Sequence, residues 1–412
     1  MLRSSALLSA SLFLVQGAIH LLQLGAAVTL TVETYSTVRL VESYGSVGAL
    51  VLSFGLPSLA LVRVGSTDGN SRRTLVRSLL GLAIIWSVAW GGVALALIAN
   101  GWVTDFVARY AWPIFALSFL ASVRLLLTAM VQSHEDFRAL ATSALLGAAL
   151  SCFVLLVAIW SGSDPFLCWL FARLSLEVVT IAGLGTALRR ATHESEKGDG
   201  IRGWKLAARG LALSAAPVGA SLVVRALVEH GPVLWLESVR ASNETIAQFG
   251  FVATILAIAI VPTAIVQGVL VPRVAKALSM HGRVGNVIVP AWAGLACALV
   301  VLFGLAFATS FLTKLAAVFL LPVVAVGAAL ILITKADSNA SGATMLLFAR
   351  WNGILLINLL TLAVGIVLAL GFLDAGSNVT DVVVIVAIVE AVGLVSYTAY
   401  LARIGVLRLR RA

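Results

Sequence analysis

The chain has 412 residues, of which 61% are apolar and only 11% charged. Soluble domains run near half apolar and about a quarter charged, so water is not the main solvent and a large soluble domain is excluded. Lys and Arg number 28 against 18 Asp and Glu, a formal charge of +10. In a soluble chain that balance would raise nucleic-acid binding. In a membrane chain it records which loops stayed in the cytoplasm, and no nucleic-acid partner is expected. Cys152, Cys168 and Cys297 fall inside apolar stretches with no CxxC spacing and no His cluster. Disulfide, metal and cofactor roles are therefore not expected.

A helix needs about 20 mostly apolar residues to cross the hydrocarbon. Taken in order, hydropathy predicts helices near Ser5–Thr29, Tyr44–Val62, Ser78–Ile98, Ala111–Val131, Ala139–Trp160 and Phe166–Leu188. After a polar stretch the pattern resumes near Leu211–Val228, Ile246–Val271, Val287–Thr309, Leu315–Ile333, Gly353–Phe372 and Val382–Leu401. The basic start and apolar run of Met1–Ala27 would also suit a signal peptide. The run is too long for one, and further spans follow throughout, so an uncleaved first helix is the better reading.

The most charged connection, RRATHESEKGDGIRGWK from Arg189 to Lys205, separates six predicted helices from six. The fold class expected is an all-α polytopic membrane protein of about twelve transmembrane helices. Two parallel six-helix lobes would surround a central cavity: residues 1–188, a cytoplasmic linker 189–209, and residues 210–412. With both termini inside, basic residues crowd the cytoplasmic segments, such as Arg63, Arg72, Arg73 and Arg77, or Arg403, Arg408, Arg410 and Arg411. Outside loops hold only Arg39, Arg109, Arg240 and Lys314. That bias fits a multi-pass protein of a bacterial inner membrane with cytoplasmic termini. Trp102, Trp112 and Trp160 fall near predicted helix ends, as interfacial anchors do.

Ionisable groups inside spans cost roughly 2.5 to 3.5 kcal/mol each on insertion scales, so those that remain face a partner, a bundle interior or a watery cavity. Arg124 shares a helix face with Thr128 and Gln132 and either snorkels or faces inward. Gln16, His20 and Gln23 make a polar stripe on the first helix. Ser214, Ser221 and Arg225 make another on the seventh. Such stripes line a cavity or bond helix to helix. Arg173 and Glu177, four residues apart, read as an internal ion pair. Glu390, deep in the last helix with no charge nearby in sequence, reads as a proton carrier or a neutral acid bound to another helix. Arg39 and Glu42 precede the second predicted helix. TYSTVRLVESYGS either forms a solvated connector or continues that helix outward, which would point Arg39 into a cavity.

No Walker motif, GxSxG, HExxH or long outside loop is present, so transport is expected rather than catalysis. Two stretches carry a resemblance. ESYGSVGALVLSFGLPSLALVRVGS, from Glu42 to Ser66, resembles the second helix of polysaccharide flippases in the multidrug/oligosaccharidyl-lipid/polysaccharide exporter (MOP) superfamily. An aromatic-Gly start there leads to a Gly-Leu turn and a basic end. IAQFGFVATILAIAIVPTAIVQGVLVPRVAKAL, from Ile246 to Leu278, is similar to helix eight of the same group, with Pro272 closing it ahead of a basic loop.

The resemblance implies a flippase that moves an undecaprenyl-pyrophosphate-linked oligosaccharide, for O-antigen or exopolysaccharide assembly, by ion-coupled alternating access. Arg225, Arg124 and Arg39 would hold the pyrophosphate in a cavity also lined by Gln16, His20, Gln23 and Ser221. Glu390 or Glu177 would carry protons, with sodium as the other coupling ion. Membrane lipid, a polysaccharide polymerase and glycosyltransferases would be its partners. The alternative within the superfamily is a cation-coupled antiporter of small cationic drugs, whose cavity should be acidic; a non-enzymatic scaffold for polysaccharide assembly is a further one. Three arginines against two glutamates inside the predicted spans favour the anionic cargo.

Overall fold

The computed structural model describes residues 17–65, 69–134, 136–193, 204–263, 288–347 and 351–403. These are helical almost throughout, and no strand occurs among them. In chain order the helices are α1 (Gly17–Thr29), α2 (Val32–Ser53), α3 (Leu56–Gly65), α4 (Gly69–Ala99), α5 (Asp105–Arg109), α6 (Ala111–Ser133) and α7 (Phe137–Trp160). They continue with α8 (Pro165–His193), α9 (Trp204–Ser238), α10 (Asn243–Ala259), α11 (Ile288–Ser310), α12 (Pro322–Leu347), α13 (Trp351–Phe372) and α14 (Val379–Arg403). Among the described residues, 7 helices are long and apolar enough to cross a bilayer by themselves. An eighth span is the bent pair of a 3-10 segment, Lys314–Leu320, and the start of α12, which meet at 86°. With α1, the broken α2–α3, α9 and α11, the chain is a polytopic membrane protein of about twelve transmembrane helices.

Local chemistry explains the boundaries. Asp136 accepts from the Ala139 amide at 3.1 Å and starts α7; Ser242 accepts from the Thr245 amide at 3.1 Å and starts α10. Pro322 opens α12, where its missing N–H leaves no bond unmade. Between α2 and α3 the chain breaks at Phe54 (φ 34°) and Gly55 (φ 75°), the Gly-Leu turn noted in the sequence. Large apolar side chains such as Val88, 70% exposed, face outward. That is the reverse of a soluble protein and suits lipid. Trp102, Trp112 and Trp160 are likewise exposed at helix ends.

The predicted spans differ from the helices chiefly where polar residues are buried. α2 begins at Val32, not near Tyr44. The connector reading of TYSTVRLVESYGS is therefore corrected. Its polar members Ser36, Arg39, Glu42 and Ser43 are all buried, so hydropathy alone could not place them in a helix. α9 runs from Trp204 to Ser238, well beyond Leu211–Val228, and α8 continues to His193. Residues 1–16 and 264–287, which hold parts of the first and eighth predicted helices, lie outside the described residues.

The helices gather into two compact units. One takes Leu40–Ala226; the other takes Ile19–Arg39 and the chain from Leu227 onwards. The divide thus falls inside α2 and α9 rather than in the polar stretch 189–209. In the first unit α7 and α8 pack through small residues. Ser143, Gly147 and Ser151 recur every fourth residue on α7, and Ser151 donates to the Ala172 carbonyl of α8 at 2.7 Å. A Cβ on Gly147 would lie 2.5 Å from Thr180 Oγ1. The break at Gly55 packs on α9, where a Cβ on Gly219 would lie 2.6 Å from the Phe54 carbonyl carbon. In the second unit Ile354, Ile357, Tyr397 and Leu401 form a core between α13 and α14. Tyr397 Oη donates to Asn358 Oδ1 there at 2.9 Å.

Candidate functional site

In the first unit the intramembrane charges meet one another. Arg124 of α6 donates from Nε to Glu177 Oε2 of α8 at 2.6 Å, and Arg173 donates from Nη1 to Glu177 Oε1, also at 2.6 Å. Arg173 Nε reaches Glu42 Oε1 of α2 at 2.8 Å. All four side chains are buried, Glu177 completely. Two guanidiniums thus face two carboxylates. The i,i+4 pair of Arg173 and Glu177 forms as its spacing predicts. Glu42, assigned by hydropathy to a connector, is the member that sequence reasoning placed outside the spans. It supplies the second carboxylate of this network.

The remaining residues singled out in the sequence are placed as follows. His20 Nδ1 lies 3.2 Å from Gln23 Oε1 on α1, so that stripe is bonded within its own helix. Gln16 lies outside the described residues. On α9, Ser221 is buried and Arg225 half-buried, each engaged by a neighbour. The Ser214 side chain lies outside those described. Arg39 and Glu390 belong to the second unit.

Glu390, 3% exposed, lines a cavity of about 80 Å³ walled by α9, α13 and α14, with Pro232, Trp235, Thr361, Ile366 and Val386 among its other walls. Glu390 is its only ionisable lining residue among the described residues, and the rest of that lining is overwhelmingly apolar. The volume holds several waters or the head of a small organic ion. Trp235 Nε1, buried in the same wall, has no acceptor among the described residues. The residues that complete this cavity, Pro232, Trp235 and Thr361, come from two helices far apart in sequence. No spacing pattern marks them.

Arg39, on α2, is 5% exposed, and its Nε has no hydrogen-bond acceptor among the described residues. Its aliphatic stem lies on Gly250 of α10, where a Cβ would come within 2.6 Å of Arg39 Cγ. One turn earlier, the fully buried Tyr35 places its Oη 3.3 Å from Thr254 Oγ1, which donates to the Gly250 carbonyl at 2.9 Å.

An all-helical chain of about twelve spans with charges held inside the membrane has the architecture of a multi-pass membrane protein. Solved structures give that architecture a family context. The chain is similar to the MATE multidrug transporter DinF-BH (TM-score 0.68, 14% identity, 97% of this chain and 94% of that one). It is also similar to the eukaryotic MATE transporter AtDTX14 (TM-score 0.67, 17% identity, 98% and 95%). A third likeness is to a MOP-superfamily transporter from Pyrococcus furiosus whose binding pocket is described as having reverse polarity (TM-score 0.56, 15% identity, 99% and 96%). At such identities the likeness shows the fold alone, shared with these structures along nearly the whole chain. Neither a family model nor a curated protein matches the sequence.

Proposed function

We propose that the chain is a secondary transporter that exchanges a small, largely apolar solute bearing positive charge for a proton or metal cation, by alternating access. The observation that carries this reading is the apolar cavity with Glu390 as its single ionisable wall. Its carboxyl, which a neighbour also engages, is the one group in this lining that can take up a proton or face a positive charge. A proton or a cationic solute can each neutralise it, and only one can do so at a time. That competition is the core of an exchange cycle: solute binds when the proton leaves, and a returning proton expels it. The fold supports the same reading, since MATE multidrug transporters share it over nearly the full chain.

The buried network of the first unit takes Arg124 and Arg173 out of the case for an anionic cargo, because Glu177 and Glu42 already match them. In this scheme Glu177 holds helices together: freeing it would break two ion pairs at once. Proton traffic falls to Glu390. The protein would act in a bacterial cytoplasmic membrane with both termini inside, and without chemistry on its cargo.

The test is uptake of a fluorescent organic cation into proteoliposomes holding the full chain and an imposed pH gradient. Wild type should accumulate the dye, and Glu390→Gln should abolish gradient-driven uptake at unchanged protein content. Undiminished uptake by that variant would sink the reading.

A second reading, translocation of an undecaprenyl-pyrophosphate-linked oligosaccharide alongside a polymerase and glycosyltransferases, is favoured by one observation, the guanidinium of Arg39 with no acceptor at its Nε among the described residues. On that reading the chain would restore surface polysaccharide to a flippase-deficient strain, and Arg225→Ala, at normal membrane level, would not.

A further inference from the structure

The cavity beside Glu390 has a proline in its wall where a helix would ordinarily have none. α9 runs unbroken from Trp204 to Ser238 and carries Gly231 and Pro232 in its interior. A proline has no N–H, so the carbonyl four residues back, that of Val228, lacks the bond the helix would otherwise give it. Val228 is buried, and buried carbonyls are nearly always paired. Val228, Gly231 and Pro232 all line the cavity. A Cβ on Gly231 would meet nothing within 4 Å, so no neighbouring side chain fills the space beside the proline. The cavity is therefore the place from which a donor can reach the Val228 carbonyl.

The other polar groups of the lining have the same character. Thr361 of α13 donates from Oγ1 to the Ile357 carbonyl at 2.8 Å, so its hydrogen is already given and toward a ligand it can only accept. The carboxylate of Glu390 on α14, when charged, accepts only. The side-chain N–H of the lining, Trp235 Nε1, is buried within the wall. Each of the three helices around the cavity thus brings one acceptor: Val228 from α9, Thr361 from α13 and Glu390 from α14.

We propose that this cavity selects cations bearing N–H donors, a protonated amine rather than a quaternary ammonium, and that Pro232 is a positioning residue which sets that choice by freeing the Val228 carbonyl. The inference rests on the cation-exchange reading above and names which cations that site takes. A primary ammonium has three N–H donors and can satisfy all three acceptors. A quaternary ammonium carries the same charge to Glu390 but has nothing to give the carbonyl or the threonine oxygen. It also displaces any water that would serve them, which lowers affinity.

The test uses two ions that share a ring and a charge and differ in their N–H groups. The full chain is placed in nanodiscs, and benzylammonium and benzyltrimethylammonium chloride are titrated by calorimetry at neutral pH and constant ionic strength. Wild type should bind benzylammonium about tenfold or more tightly than its trimethyl analogue, the worth of a hydrogen bond to a charged group. Pro232→Ala returns an N–H to the Val228 carbonyl, and Thr361→Val keeps the shape of the side chain while removing its oxygen. Each should weaken benzylammonium about tenfold and leave benzyltrimethylammonium unchanged. A purely structural role for either residue would weaken both ions alike, and that result overturns the proposal. So does equal binding of the two ions by wild type. Glu390→Gln separates this failure from failure of the exchange reading. If both ions bind wild type equally and Glu390→Gln loses both, only the N–H selection is wrong. If wild type binds neither ion, or Glu390→Gln binds both as wild type does, the exchange reading fails and this inference with it.

Discussion

The two units treat buried charge in opposite ways. In the unit of Leu40–Ala226, Arg124, Arg173, Glu177 and Glu42 close on one another at 2.6 to 2.8 Å. In the other, Arg39 has no acidic partner among the described residues, and Glu390 lines an apolar cavity. A matched network is a device for joining helices: α2, α6 and α8 meet at it. A guanidinium buried as Arg39 is, without an acid to meet it, gives the fold nothing in return for its desolvation.

The comparison breaks most easily at Glu177. Replacing it with Gln leaves Arg124 without a carboxylate in a sealed interior and Arg173 with Glu42 alone, and loss of about 3–5 kcal/mol is expected. Thermal unfolding of the detergent-solubilised variant should show a large fall, with little protein left in the membrane fraction. If Glu177→Gln were as stable as wild type, the network would not be what joins those helices.

A smaller effect is expected at the α2–α3 break. Gly219→Ala places a methyl group 2.6 Å from backbone at Phe54, which cannot move aside as a side-chain tip could. A loss on the order of 1–3 kcal/mol should follow, read as a lower unfolding temperature without change in helix content. The smallest effect belongs to the second unit's partly exposed pair, Lys335 to Glu229 at 2.8 Å. Lys335→Met should cost about 0–1 kcal/mol. A loss as large as that of Glu177→Gln would show that matched pairs hold both units alike.

Much of this was legible along the chain. The ends of α6, α7, α11, α13 and α14 fall within a few residues of the hydropathy limits, because a span exposed to lipid must be apolar on its own account. The i,i+4 pairing of Arg173 with Glu177 was readable from spacing. The helical start of α2 was not. Ser36, Arg39, Glu42 and Ser43 lower the hydropathy of that stretch, and only packing around them makes burial tolerable. Counting charges inside predicted spans therefore omitted both Arg39 and Glu42, and with Glu42 the second carboxylate of the matched network. The Ser143, Gly147, Ser151 repeat on α7 could have been read as a packing face, since small residues every fourth position are its usual mark.

Composition and hydropathy by themselves determined the solvent, the helical class and the number of spans. Those follow from a rule applied segment by segment: in lipid, each backbone polar group must be satisfied within its own helix. The tertiary structure alone decided which charges are matched, why Gly250 must be glycine, and where the units divide. Hydropathy marks where the chain leaves the bilayer, at the polar stretch of 189–209. Packing marks which half of a helix belongs with which neighbours, and it draws the line inside α2 and α9. Contacts between residues such as Arg39 and Gly250, far apart along the chain, leave no trace in either residue's local sequence.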